Sequence, residues 1–228
     1  MAQSYSCHER RKAFFSLLEY RKTIRMTFEI NKFELVKNVI SPEVANLLYN
    51  YLLNKRQVAR KLFDSKYISI YNQDYGIWND EQVPDTYSIY GDVMLDTILS
   101  ALQGVMEKRT NTKLYPTYSY GRIYKKGDVL KKHKDRDSCE ISTTLNLGGD
   151  IWPIYLQTKR KEKILLEPGD MLIYSGCELT HWRDKFQGKN CAQVFLHYNK
   201  YTKDNQGQNL YDSRPFLGLP SWFKNYKE

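Results

Sequence analysis

Residues 113–135, KLYPTYSYGRIYKKGDVLKKHKD, and residues 167–181, EPGDMLIYSGCELTH, decide how this chain is read. The first ends in His133-Lys134-Asp135 and the second in His181. On an extended segment residues i and i+2 project to the same side, so His133 and Asp135 can reach one ion together. His181 then needs only to lie on a neighbouring strand to complete a face of two imidazoles and one carboxylate. That donor set suits ferrous iron, because it holds the metal and leaves coordination positions open for a small ligand and oxygen. The same trio can also hold zinc and activate water. The chain has four histidines. His8 and His197 are read as ordinary side chains, with His197 on the last strand and within reach of the pocket.

Around these two stretches the pattern is one of strands and turns. KLYPTYSYGRIY alternates and is rich in Tyr, CEISTTLNL (139–147) is β-branched and closed by Gly148-Gly149, and IWPIYLQT follows. Pro168-Gly169-Asp170 makes a turn inside EKILLEPGDMLIY, and CAQVFLHY (191–198) is the last strand. Six or more short strands separated by turns predict an antiparallel double sheet, a jelly-roll barrel. Trp182 reads as core, and Asp137 as a solvated acid.

The half that precedes them is helical. Residues 8–25 carry Phe14, Leu17 and Leu18 at helical spacing, and residues 1–30 read as a helical extension to a single domain over 31–228. FELVKNVI (33–40) reads as a strand. Ser41-Pro42-Glu43 starts a helix reaching about Leu62, with Val44, Leu47, Leu48 and Leu52 on its buried face. Residues 64–86 suit a loop or short strands, either a candidate for substrate contact or a plain surface loop. A second helix is predicted over Ser88–Lys108, its stripe made by Val93, Ile98, Leu99, Leu102 and Met106. The class is therefore α+β, with the helices backing one sheet.

Composition narrows the function. With 41% hydrophobic residues the chain can bury a core, and no apolar run is long enough to span a membrane. The polar N-terminus lacks the apolar centre of a secretory signal, and a cytoplasmic location is expected. Cys7, Cys139, Cys177 and Cys191 are irregularly spaced, which fits reduced thiols rather than a disulfide framework. The net charge of +9 attracts anions, but its Lys and Arg are spread out, so a dedicated nucleic-acid face is not expected.

Tyr124, Gly127, His133-x-Asp135, then EPGDMLIYSGCELTH and a closing strand, resemble the 2-oxoglutarate and Fe(II)-dependent oxygenases. The likeness covers residues 33–198 and is greatest to the prolyl 4-hydroxylase-like branch. It implies a double-stranded β-helix with iron at one mouth, Fe(II) and 2-oxoglutarate as cofactors, and O2 as co-reactant. It also implies hydroxylation of a C–H bond, with a protein side chain such as proline as the target. Two other readings stand beside it: a nucleic-acid oxidative demethylase of the same superfamily, whose paired downstream arginines are missing here, and a non-catalytic metal-binding β-barrel module.

By the resemblance, His133, Asp135 and His181 match the iron ligands. Tyr124 and Thr144 fall where relatives contact 2-oxoglutarate. Relatives carry Arg or Lys about ten residues after the distal histidine, and here that place holds Cys191. A dicarboxylate buried without a cation is costly. Arg183 shares the strand face of His181 by the i, i+2 rule and offers a planar fork, with Gln193 beside it. Lys189 is the other candidate. Against a role for Arg183 stands a surface ion pair with Glu178 or Asp184.

Overall fold

Alternate side chains along Ile141–Gly149 point opposite ways, and both ways are buried as far as Gly148. Ile141, Leu145 and Leu147 face the helices, while Ser142, Thr144 and Asn146 face into a barrel. This strand is part of a computed structural model that describes residues 27–225. The helix expected over 8–25 lies outside the described residues.

In chain order the elements are α1 (Phe28–Asn31), β1 (Phe33–Val36), α2 (Pro42–Asp64), β2 (Tyr87–Tyr90), α3 (Val93–Thr110), β3 (Leu114–Lys125) and β4 (Leu130–His133). There follow β5 (Ile141–Gly149), β6 (Ile154–Gln157), β7 (Lys161–Ile164), β8 (Met171–Ser175), β9 (His181–Arg183) and β10 (Asn190–Lys200). A six-stranded sheet in the order β1-β8-β5-β10-β3-β2 faces a four-stranded sheet in the order β4-β9-β6-β7. Every described pairing is antiparallel. This is the expected double-stranded jelly roll.

Helices α2 and α3 cover the outer face of the larger sheet, where Leu48, Leu52, Leu95, Leu99 and Met106 meet Ile123, Val194 and Leu196. Gly121 permits the close approach, since a Cβ there would lie 2.8 Å from a Leu95 methyl carbon. Between the sheets, Phe33, Ile154, Leu156, Leu172 and Tyr174 form a second apolar cluster. Phe28, from the segment ahead of β1, is seated in the first cluster.

The structure corrects the buried face of one helix and the boundaries of two other elements. Helix α2 begins at Pro42 as expected, with Ser41 Oγ accepting from Val44 N at 3.3 Å. Its buried stripe, however, is Ala45, Leu48, Leu52 and Ala59, and Val44 and Leu47 are exposed. Small alanines let the helix lie close to the sheet, which turns the larger neighbours outward. Residues from Ser88 do not start a helix: Tyr87–Tyr90 pairs with β3, opposite Ile123 through Tyr120. Gly91 (φ +60) turns the chain, and Asp92 caps α3 by accepting from Met94 N and Leu95 N. Val93, expected in the stripe, is exposed. Strand β1 stops at Val36 because Lys37 and Asn38 turn toward the Asp170 carboxylate.

The C-terminal segment is irregular, with short 3-10 turns at Leu210–Ser213 and Ser221–Asn225. It is tied down by Arg214, which is buried and pairs with buried Asp96 at 3.0 Å. Trp182 is buried as expected, stacked on Tyr155 with Lys132 Nζ over its ring. No helix among the described residues is long and apolar enough to cross a membrane.

Candidate metal centre

Strands β4 and β9 pair so that His133 stands opposite His181. Asp135 follows β4 in a loop held by its own N–H, which donates to the Gly176 carbonyl at 3.0 Å. One ligand atom from each of the three residues lies within 4.8 Å of the others. Asp135 Oδ1 is 3.6 Å from His133 Nε2 and 3.3 Å from His181 Nε2.

The rings are oriented from behind. His133 Nδ1 donates to the Lys131 carbonyl at 2.8 Å, and His181 Nδ1 to the Leu179 carbonyl at 3.0 Å. A neutral imidazole with its proton on Nδ1 leaves the Nε2 lone pair for a metal. Burial would raise the pKa of Asp135, but hydrogen bonds and charge from His133 and His181 hold it far below the usual carboxylate range. For His133, burial pulls the pKa down, but its contacts with the Asp135 carboxylate and the Lys131 carbonyl outweigh that and leave it raised. The donor set of two imidazole nitrogens and one ionised carboxylate oxygen fits Fe(II).

These ligands open onto a cavity of about 280 Å³. One wall is the inward face of β3: Tyr118, Tyr120, Arg122 and Tyr124, every second residue. Arg122 is buried, donates to Asp80 Oδ2 at 2.5 Å and to Gln82 Oε1 at 2.9 Å, and leaves its Nε without a partner. Asp80 and Gln82 belong to the loop before β2, so the 64–86 segment supplies part of the cavity lining. On the opposite rim Arg136 forms a two-pronged ion pair with Asp212, at 2.9 and 2.7 Å.

Of the remaining expected residues, Tyr124 lines the cavity and packs edge-on against Trp152. Arg183, Thr144 and Gln193 lie beyond the lining residues, packed together inside the barrel. Arg183 Nη2 donates to Thr144 Oγ1 at 3.2 Å, and Thr144 Oγ1 donates to Gln193 Oε1 at 2.9 Å. The other Arg183 prong donates to the Trp152 carbonyl, and its Nε has no partner. Arg183 is fully buried, and no carboxylate among the described residues lies within ion-pair distance of it. Asp184 pairs with Lys161 instead, so the surface ion pair does not form. Lys189 is exposed, its backbone N–H bound to Asp150, and does not reach the barrel interior.

Sequence reasoning did not single out Arg122, Tyr118 or Ser142. Period-two alternation along β3 and β5 carried a signal for all three, because every second residue in these strands faces the cavity or barrel. His197 was placed near the pocket and does line it. Asp137 is exposed, as read, and does not orient a ligand.

No family model matches the sequence, and no curated protein does. Solved structures do match. A prolyl-4-hydroxylase from Pseudomonas putida is 10% identical and covers 77% of this chain and 96% of its own, with a TM-score of 0.58. The chain has the prolyl 4-hydroxylase fold. The same fold relates it to the viral collagen prolyl hydroxylase of Paramecium Bursaria Chlorella virus-1 in its 2OG complex, at 11% identity, coverage of 75% and 97%, and a TM-score of 0.52. It also relates it to SnoN, a non-heme alpha ketoglutarate dependent epimerase from nogalamycin biosynthesis, at 10% identity, coverage of 77% and 80%, and a TM-score of 0.56. The prolyl 4-hydroxylase fold is thus shared by proteins of different described activities.

Proposed function

We propose that the protein is a 2-oxoglutarate- and Fe(II)-dependent oxygenase that hydroxylates a C–H bond. The observation that carries this is the meeting of His133 Nε2, Asp135 Oδ1 and His181 Nε2 at one mouth of the barrel. When bound, the iron and 2-oxoglutarate supply the oxidising chemistry: oxygen is consumed, the cosubstrate becomes succinate and CO2, and one oxygen atom enters the substrate.

The protein's part is to bind, orient and exclude water. His133, Asp135 and His181 hold the metal. Arg183 is the cation for the outer carboxylate of 2-oxoglutarate, with Thr144 and Gln193 fixing the guanidinium and Tyr124 lining the way in. An unpaired guanidinium in a buried, polar barrel interior is costly alone and is relieved by a carboxylate. The roof formed by Asp80, Gln82 and Arg122 shields the cavity from bulk water. In this reading residues 31–228 are the oxygenase unit and residues 1–30 an extension. The ferrous site and the free Cys139, Cys177 and Cys191 suit a reducing, cytoplasmic setting.

A protein side chain, proline first, is the proposed target. Two structural neighbours named as prolyl hydroxylases support it, and the neighbour named as an epimerase does not. The test is succinate formation from 2-oxoglutarate with Fe(II), with Zn(II), and with Fe(II) plus proline-containing peptides. Turnover with Fe(II) but not Zn(II) is expected, rising with peptide. Zinc-supported hydrolysis, or tight 2-oxoglutarate binding without succinate, refutes the oxygenase reading. Turnover that no peptide stimulates refutes the peptide target alone.

A further inference from the structure

The two carboxylate oxygens of Asp135 have different surroundings. Oδ1 faces the histidines. Oδ2 faces the barrel wall, where Ser142 Oγ donates to it at 2.6 Å. A hydroxyl has one proton, and the charge-assisted bond to the carboxylate takes it in preference to the Cys139 carbonyl, 3.0 Å from the same oxygen. The hydroxyl oxygen is then the acceptor for His197 Nδ1–H at 3.0 Å.

His197 has no freedom to turn away. It is buried in β10, and its ring packs on Tyr118 with centroids 4.5 Å apart. Gly176 closes the other side of Oδ2. A Cβ there would collide with Asp135 Oδ2, Ser142 Oγ and the Cys139 carbonyl. Strand β5, backed by β10, and the loop at Gly176 thus meet at the oxygen of Asp135 that faces away from the histidines.

We infer that Ser142, backed by His197, keeps Asp135 a one-oxygen ligand and so preserves the coordination positions that a chelating cosubstrate and oxygen need together. The inference rests on the metal reading above. A carboxylate free to rotate can bind a cation through both oxygens. Three one-atom ligands leave three positions of an octahedron open, and a second Asp135 oxygen would take one of them. Two positions still accept a chelating 2-oxoglutarate but leave none for oxygen. Ser142 and His197 contact neither metal nor substrate in this scheme; they are positioning residues.

The test is crystal structures of the full chain loaded with Co(II), as wild type and as Ser142→Ala, with nitric oxide binding to the Fe(II)–2-oxoglutarate complexes followed by electron paramagnetic resonance. In the wild type Co(II) sits on His133, Asp135 and His181, with Oδ2 on Ser142 and off the metal. In Ser142→Ala both Asp135 oxygens bind, 2-oxoglutarate affinity is unchanged, and nitric oxide binds about tenfold more weakly, in the range that outer partners of metal ligands command. His197→Gln keeps a donor for Ser142 and behaves as wild type, whereas His197→Leu behaves as Ser142→Ala; this pair carries the same test if Ser142→Ala does not fold. One-oxygen ligation and full nitric oxide affinity in Ser142→Ala or His197→Leu overturn the inference and leave the metal reading standing. Co(II) absent from the three wild-type residues overturns the metal reading itself.

Discussion

His133 lies directly opposite His181 in the β4–β9 ladder, and their ring centroids are 4.2 Å apart. Two imidazoles this close, both aimed by backbone carbonyls, gain from a shared cation. The irregular register between Leu130 and His133 lets Arg183, two residues past His181, pair with Leu130 while the histidines stay aligned.

Replacing either histidine with alanine removes one ligand nitrogen. Succinate formation in His133→Ala and His181→Ala should fall by at least about 100-fold, the upper end of what even outer partners of a metal ligand cost. Circular dichroism at 222 nm should match wild type, because the sheet ladders do not depend on these side chains.

Arg183→Met tests the cosubstrate cation. Losing a charged hydrogen-bonding partner costs about 1.5–3 kcal/mol, so the Kd for 2-oxoglutarate should rise about 10- to 150-fold. Without cosubstrate the variant should be no less stable than wild type, since an uncompensated buried charge has gone. Adding 2-oxoglutarate to the Co(II)-loaded protein should raise the Tm of wild type more than that of the variant.

His197 makes stability depend on pH in metal-free protein. Burial, against the pull of the Asp135 charge, lowers its pKa from 6.5 to about 4. Between these values the unfolded chain binds more protons than the folded one, so stability rises with pH there and is lost as pH falls from 6.5 toward 4. The two pKa values imply about 3 kcal/mol across that window. Urea unfolding of wild type and His197→Gln with a chelator should show a shallower pH dependence in the variant over that range.

Asp96 holds the C-terminal segment on the barrel. Its Oδ1 accepts from Ser119 N and Oγ, and its Oδ2 from Gly218 N and Arg214. Asp96→Ala strands the buried Arg214 guanidinium and should destabilise by about 3–5 kcal/mol. Asp96→Ala with Arg214→Met should recover part of that loss in the same urea titration.

Much of the site was legible because its signals are local. The i, i+2 spacing of His133 and Asp135 depends only on extended backbone, and the turn at Pro168-Gly169-Asp170 announces itself by composition. The helix over Pro42–Asp64 was legible from its cap. Its buried face was not, since Ala45 and Ala59 are buried for their smallness against a sheet that the helix sequence does not contain. Tyr87–Tyr90 was misread for a related reason: a four-residue strand acquires its identity from the partner β3.

The polar residues of β5 and β10 show the same limit. Ser142, Thr144 and Gln193 are polar side chains in alternating strands, yet all three are buried, because the larger sheet has helices on one face and the second sheet on the other.

By itself the sequence determined the strand-rich barrel with backing helices, and named the three side chains able to meet on a metal; strand periodicity and ligand chemistry are written within short stretches of chain. Only the tertiary structure decided that Arg183 rather than Lys189 is buried, that Arg122 and Asp80 pair at the cavity wall, and that Ser142, bonded to His197, reaches Asp135. Burial and pairing of a polar side chain depend on what distant segments bring to it, and those segments meet only when the two sheets close.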